Sequence, residues 1–272
     1  MPELPEVETI VRFLREGRDD KPSLYGFRIE KATVLWERSL AFPKLEEFLQ
    51  NISDQIITSI SRRGKFIRVE LQNNYFIIHL RMSGDLWVEP ETTPPGLHHR
   101  WMLHFGNGWR LAFNDPRKFG RAWMVADDQS ILGNLGPEPF DKTLTADAFF
   151  KQLHHCRRQL KPLLMDQTFL AGLGNIYTDE ALHLAKLHPM LVSNNLSEAQ
   201  CAKLLAAIRQ VLREGIVRQG ASIDWVYRGG DFQKYFRVYQ RTGKPCPVCT
   251  TPIERITLGQ RSTHFCPICQ KM

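Results

Sequence analysis

The chain has 272 residues, 43% of them hydrophobic and 24% charged, and a formal net charge of +7. That is the composition of an ordinary folded protein, and no stretch approaches the roughly eighteen consecutive apolar residues of a membrane helix. The length favours two domains over one, and the glutamate-bearing start in place of a basic and then apolar run reads as no signal peptide, so a cytoplasmic protein is expected.

The charge is unevenly placed. Residues 1–150 carry 19 Lys and Arg against 21 Asp and Glu, a net of −2, while residues 151–272 carry 17 against 8, a net of +9. An excess of this kind suits a polyanion such as a nucleic-acid backbone, and equally a solvated basic face.

The chain opens "MPELPEVETI". Beyond Pro5 the apolar residues Val7, Ile10, Val11 and Leu14 recur at helical spacing until Gly17, which predicts one amphipathic helix. Pro5, Glu6 and Glu8 suit the start of such a helix through a pre-set φ and a favourable dipole. Pro2 and Glu3 are not explained that way. Removal of Met1 would give Pro2 a free secondary amine, and an α-amino group titrates at about 8 against about 10.4 for lysine, so it is far more nucleophilic at neutral pH. Attack on a sugar C1′ would form an iminium, with Glu3 as the adjacent proton donor or acceptor and Glu6 one turn on.

From about residue 25 to 126 short β-rich runs alternate with turn signals, the pattern of a sandwich or barrel. Three pieces of this region stand out. "SRRGKFIRVEL" places Lys65 after Gly64 at a strand start, and Arg62, Arg63 and Arg68 make a basic ribbon with it, solvated or facing phosphate. "HLRMSG" puts Met82 near a turn, either filling a gap or probing a ligand. "FNDPRKFG" sets Arg117, Lys118 and Phe119 on a turn, where the ring is either a wedge for a duplex or folded back into the core.

The Gly- and Pro-rich stretch 131–143 is the expected hinge. Helical patterns follow at 145–155, 159–166, 175–187 and 197–217. The turn "GLGN" at 172–175 leads into the third of these, whose N-terminal amides could hold an anion such as phosphate or simply join two helices. Residues 219–236 contain three glycines and no sustained period, which reads as a mobile loop. The chain closes on C-x2-C-x16-C-x2-C, with Cys246, Cys249, Cys266 and Cys269. Four thiolates in two close pairs suit one tetrahedral Zn2+ with no open position, hence a structural metal in a β-hairpin, and a pair of redox dithiols is the alternative. Arg261 sits inside that hairpin.

Taken in order, "PELPEVET", "RRGK", "HLRMSG", "NDPRKFG", "GLGNIY" and the four-cysteine hairpin resemble the bacterial formamidopyrimidine-DNA glycosylases (Fpg or MutM) of the Fpg/endonuclease VIII family, over the full chain. The resemblance implies an α+β protein. Its parts are an N-terminal β-sandwich catalytic domain with an N-terminal helix (1–130), a linker (131–143), a helix-two-turn-helix DNA-binding domain (144–236) with a base-capping loop (219–236), and a zinc finger (237–272). It implies a monomeric bifunctional DNA glycosylase and abasic-site lyase of base excision repair, acting on double-stranded DNA with oxidised bases or abasic sites, in the cytoplasm on the nucleoid. Pro2 would form the Schiff base with Glu3 as general acid/base, Glu6 in support, Lys65 in β-elimination and Arg261 in phosphate binding and δ-elimination. Asn175 and Lys161 would grip phosphates, with His98, Lys118 and Arg157 as further DNA contacts. Lys118 stands where the family more often has arginine, which keeps the charge and loses the bidentate geometry. Met82, Arg117 and Phe119 would fill the void left by a flipped base, and this trio favours 8-oxoguanine and formamidopyrimidines as substrates. Two alternatives remain: an endonuclease VIII-like enzyme for oxidised pyrimidines, and a non-catalytic zinc-bearing DNA-binding protein.

Overall fold

The computed structural model describes residues 1–222 and 229–272. The chain forms two compact units, one of residues 1–2, 6–134 and 222–229, the other of residues 3–5, 135–221 and 230–272. The expected base-capping loop falls partly on residues 223–228, which lie outside the described residues.

Helix α1 (Leu4–Glu16) belongs to the first unit from Glu6 onward, with Val7, Ile10, Val11 and Leu14 buried along one stripe, as its spacing predicts. Nine strands follow: β1 (Lys31–Val34), β2 (Leu40–Phe42), β3 (Ile57–Arg63), β4 (Phe66–Leu71), β5 (Tyr75–His79), β6 (Asp85–Pro90), β7 (His99–His104), β8 (Trp109–Asn114) and β9 (Arg121–Val125), with helix α2 (Leu45–Ile52) between β2 and β3 and a short α3 (Gln129–Leu132) after β9. They make two sheets, ordered β1-β7-β8-β6 and β2-β9-β5-β4-β3, antiparallel except for the β2/β9 pair. Inward residues of both sheets form one core, where Phe76 of β5 meets Trp101 of β7 edge-on at 5.2 Å and Trp101 stacks on Phe113 of β8 at 5.2 Å. This is a β-sandwich. Strand β4 shows why the sequence folds so: its residues alternate between half-buried and buried along its length, the period-two pattern of a two-faced strand.

In the second unit the helices are α4 (Ala146–His154), α5 (Leu160–Leu164), α6 (Asn175–Ala185) and α7 (Glu198–Val217), followed by the hairpin strands β10 (Glu254–Leu258) and β11 (Arg261–Phe265). Thr145 caps α4 by accepting the Ala148 N–H, and Ser197 with Gln200 forms a capping box at α7. The loop reading of 219–236 fails at its far end. Phe232 to Tyr235 form a 3-10 turn, and Phe232 is fully buried with its ring stacked on Tyr177 at 5.2 Å.

Candidate functional site

Glu3 lies in the second unit, at the mouth of α6. Its carboxylate accepts the backbone N–H of Ile176 at 2.9 Å and of Tyr177 at 3.3 Å, while the Leu4 N–H donates to the Gly172 carbonyl at 3.0 Å. The two glycines of "GLGN" make this docking possible. A Cβ on Gly174 would stand 2.3 Å from the Glu3 Cδ, and one on Gly172, at a φ of +101°, would meet Leu4 at 2.6 Å. The amides of Ile176 and Tyr177 at this helix start are thus taken by the protein's own carboxylate. Pro2, one residue back, is buried behind an exposed Met1, and Glu6 is buried one turn along α1.

Lys161, expected to grip a phosphate, is engaged inside the protein. Its side chain is 1% exposed, and its ammonium donates to Asp179 at 2.6 Å and to the Ser262 carbonyl at 2.7 Å. Burial lowers its pKa against the opposing pull of Asp179. Asp179 in turn accepts the backbone N–H of His264 at 2.9 Å and faces its ring at 3.1 Å. This buried network fastens the β10/β11 hairpin to α5 and α6. The hairpin turns through Gly259 and Gln260 at φ of +52° and +62°, which leaves Arg261 exposed as the first residue of β11.

In the sandwich, Lys65 is buried at the two-residue turn between β3 and β4, where Gly64 takes a φ of +57°. Across the sheet His79 pairs with Phe66, and its Nδ1 accepts the Arg81 N–H at 3.0 Å. Burial, with the charges of Arg81 and Lys65, pushes His79 down to about 3. It is thus a neutral ring whose Nε2 carries the proton and can donate. The sequence reading passed over it in favour of its neighbour Met82. The basic ribbon is largely spent inside the unit: Arg62 donates to Glu8 at 3.0 Å, and Arg68 to Asp128 at 2.5 Å. Burial opposes ionisation of Glu8, yet Arg12 and Arg62 outweigh it and hold the carboxyl below its ordinary value.

Met82 and Phe119 are 39% and 46% exposed, so neither folds back into the core. The two turns that carry them are joined by a buried hydrogen bond from the Ser83 hydroxyl to Asp115. Asp115 also accepts the Gly120 N–H at 2.7 Å, and the Arg117 N–H reaches Ser83 at 3.2 Å. The Arg117 guanidinium lies 5.1 Å from the Phe119 ring centroid, and Lys118 sits over Trp36 at 4.0 Å. A cation and two exposed apolar side chains thus share one rigid tip.

His98 is half-buried, and its carbonyl accepts the Asp115 N–H at 2.9 Å, tying its loop to the same tip. Arg157 and Arg158 are both exposed, and Arg158 is engaged by Asp166 at 2.8 Å. Asn175, the first residue of α6, has its Oδ1 buried with no hydrogen-bond partner.

The four cysteines converge. Their sulfurs lie within 4.8 Å of one another, with Cys249 and Cys266 at 3.4 Å and Cys246 and Cys269 at 3.9 Å. Tetrahedral Zn2+ with arms of about 2.3 Å needs sulfurs about 3.8 Å apart, so the set fits that ion. Burial and the neighbouring sulfurs push Cys269 up to about 12, while Thr251 draws Cys249 down to about 6. A divalent cation reverses that crowding by holding all four as thiolates.

Residues 1–122 match the formamidopyrimidine-DNA glycosylase N-terminal domain, 135–226 the formamidopyrimidine-DNA glycosylase H2TH domain, and 243–271 the zinc finger found in FPG and IleRS. The formamidopyrimidine-DNA glycosylase of Protochlamydia amoebophila is 42% identical over 280 residues, and that of Pelotomaculum thermopropionicum 40% over 281, each with 100% of both chains covered. Among solved structures, wild-type Lactococcus lactis Fpg bound to DNA containing N7-benzyl-Fapy-dG is similar with a TM-score of 0.91 and 34% identity over 100% of both chains. The same protein with abasic-site DNA gives a TM-score of 0.91 and 33% identity over 99% of this chain and 100% of that one.

Proposed function

The chain belongs to the formamidopyrimidine-DNA glycosylase family, and on that premise we propose how its own residues carry out the reaction. It is a DNA glycosylase of base excision repair with the family's lyase activity, it acts on damaged DNA, and its zinc is structural. In our reading Pro2 is the nucleophile. With Met1 removed, its amine bonds to C1′ as the C1′–N bond to the damaged base breaks, and an iminium remains once the sugar ring opens. Loss of the C2′ proton then expels the 3′ phosphate, and a second elimination expels the 5′ phosphate. Glu3 moves the protons beside Pro2, with Glu6 in support. Lys65 serves the first elimination and Arg261 binds phosphate and serves the second.

The observation that carries this reading is the fixed Glu3 carboxylate, held by two backbone amides one residue from Pro2. A carboxylate needed only to start a helix would not require a glycine, Gly174, to clear its path. Asn175, Arg157, His98 and Lys118 remain as DNA contacts in this account, and Lys161 acts indirectly by holding the hairpin that bears Arg261. Residues 1–130 serve as the catalytic domain, 131–143 as linker, 144–236 as the helix-two-turn-helix domain and 237–272 as the zinc finger, in a monomer working in the cytoplasm on the nucleoid.

The substrates are 8-oxoguanine and formamidopyrimidines in duplex DNA. The exposed Met82, Arg117 and Phe119 on joined turns support this choice, since extruding a base leaves a gap to be filled. Single-turnover excision from paired duplexes tests it. Faster release of 8-oxoguanine opposite cytosine than of thymine glycol is expected, and the reverse order would place the chain with the enzymes for oxidised pyrimidines.

A further inference from the structure

The C-terminal half of α6 carries a side chain that the reaction above does not use. His183 is 3% exposed, and its Nε2 lies 3.4 Å from the sulfur of Cys246, itself buried. The backbone N–H of Val248 also points at that sulfur, at 3.4 Å. Amide donors of this kind come from within the cysteine knuckle, but His183 reaches in from a helix 63 residues away in sequence.

The tautomer follows from the surroundings. The other ring nitrogen, Nδ1, is buried with no hydrogen-bond partner. Placing the proton there would orphan a buried N–H and aim the Nε2 lone pair at a thiolate. Placing it on Nε2 leaves only an unfilled acceptor and directs a donor at the negative sulfur. The second arrangement is favoured on both counts.

We infer that His183 is a positioning residue for the zinc, its Nε2–H donating a charge-assisted hydrogen bond to the Cys246 thiolate. This bond neutralises part of the charge that four thiolates place around one divalent ion, and it fixes the direction of one ligand. It also fastens the metal module to α6, the helix whose first amides hold Glu3 at the other end. The inference rests on zinc occupying the four-cysteine site.

The test uses the full-length zinc-loaded protein with His183→Phe, which keeps a flat apolar ring without a donor, and His183→Gln, which keeps an N–H donor. Chelator competition gives zinc affinity, and the Co2+-substituted proteins report the thiolate-to-metal charge-transfer band. His183→Phe is expected to weaken zinc binding by about 10- to 100-fold and to shift the band, with His183→Gln recovering part of both. Wild-type affinity and an unmoved band in His183→Phe would overturn the inference. Equal losses in both variants would overturn it too, because packing alone would then explain the effect. Should His183→Phe fail to fold, His183→Leu, equally without a donor, takes its place: a shifted band and weakened zinc binding support the proposal, and wild-type affinity with an unmoved band overturns it. Failure of metal loading in the wild-type protein would instead strike at the zinc reading itself.

Discussion

The carboxylate of Glu3 accepts the backbone N–H of Ile176 at 2.9 Å, so the start of the chain docks at the mouth of α6. Gly174 clears the space for it. Gly174→Ala would put a Cβ 2.3 Å from the Glu3 Cδ and force the carboxylate off its two amides. Excision of 8-oxoguanine is expected to fall by about 10²- to 10⁴-fold, the range of a misplaced general acid/base, while zinc content stays at one ion. A single-turnover loss of less than tenfold would contradict this.

Lys161 is a buried ion-pair partner, and its removal leaves Asp179 buried with its charge unmet. Lys161→Met is expected to destabilise the protein by about 3–5 kcal/mol in urea titration, with Lys161→Met/Asp179→Leu recovering most of it. The salt dependence of DNA binding should keep its slope. A phosphate contact would lower that slope by about one upon mutation.

His79 gives a pH signature. Its folded pKa of about 3 lies below the ordinary value of 6.5, so between these limits the unfolded chain binds the extra proton. Its contribution to stability is therefore present above pH 6.5 and lost as the pH falls toward 3, at up to about 1.4 kcal/mol per pH unit. His79→Gln should have a flatter acid limb than wild type in melting curves over that window. Identical limbs would show that the ring is not neutral when folded.

Phe119 stands in solvent at 46% exposure, and Phe119→Ala should alter stability by no more than about 0.5 kcal/mol. Its work is with the duplex. Excision of a paired lesion is expected to drop by about ten- to a hundredfold, since unstacking a base costs a few kcal/mol, whereas cleavage at a preformed abasic site drops less. Equal losses on the two substrates would remove the wedge.

The zinc hairpin was legible in the sequence because its ligands lie in two tight pairs whose spacing has few other uses. The sandwich was legible for a similar local reason, the period-two alternation of runs such as β4. Lys161 was not, because nothing local tells whether a lysine meets phosphate or is answered by Asp179 and by the carbonyl of Ser262, 101 residues on. "GLGN" read as an anion site, correctly in its physics, but the anion it holds is 173 residues away. Arg62 and Arg68 misled in the same way, their partners Glu8 and Asp128 being supplied by the fold. Charge read along a chain counts ions, and only the tertiary structure says which of them remain for a ligand.

The central claim is that the N-terminal proline amine does the chemistry. Borohydride trapping on a duplex with 8-oxoguanine opposite cytosine, followed by mass spectrometry of the DNA-linked peptide, tests it most directly. The account predicts a stable adduct on Pro2 of protein lacking Met1, and none from protein that retains Met1. No adduct, or one carried by Lys65 or another internal lysine, would contradict it.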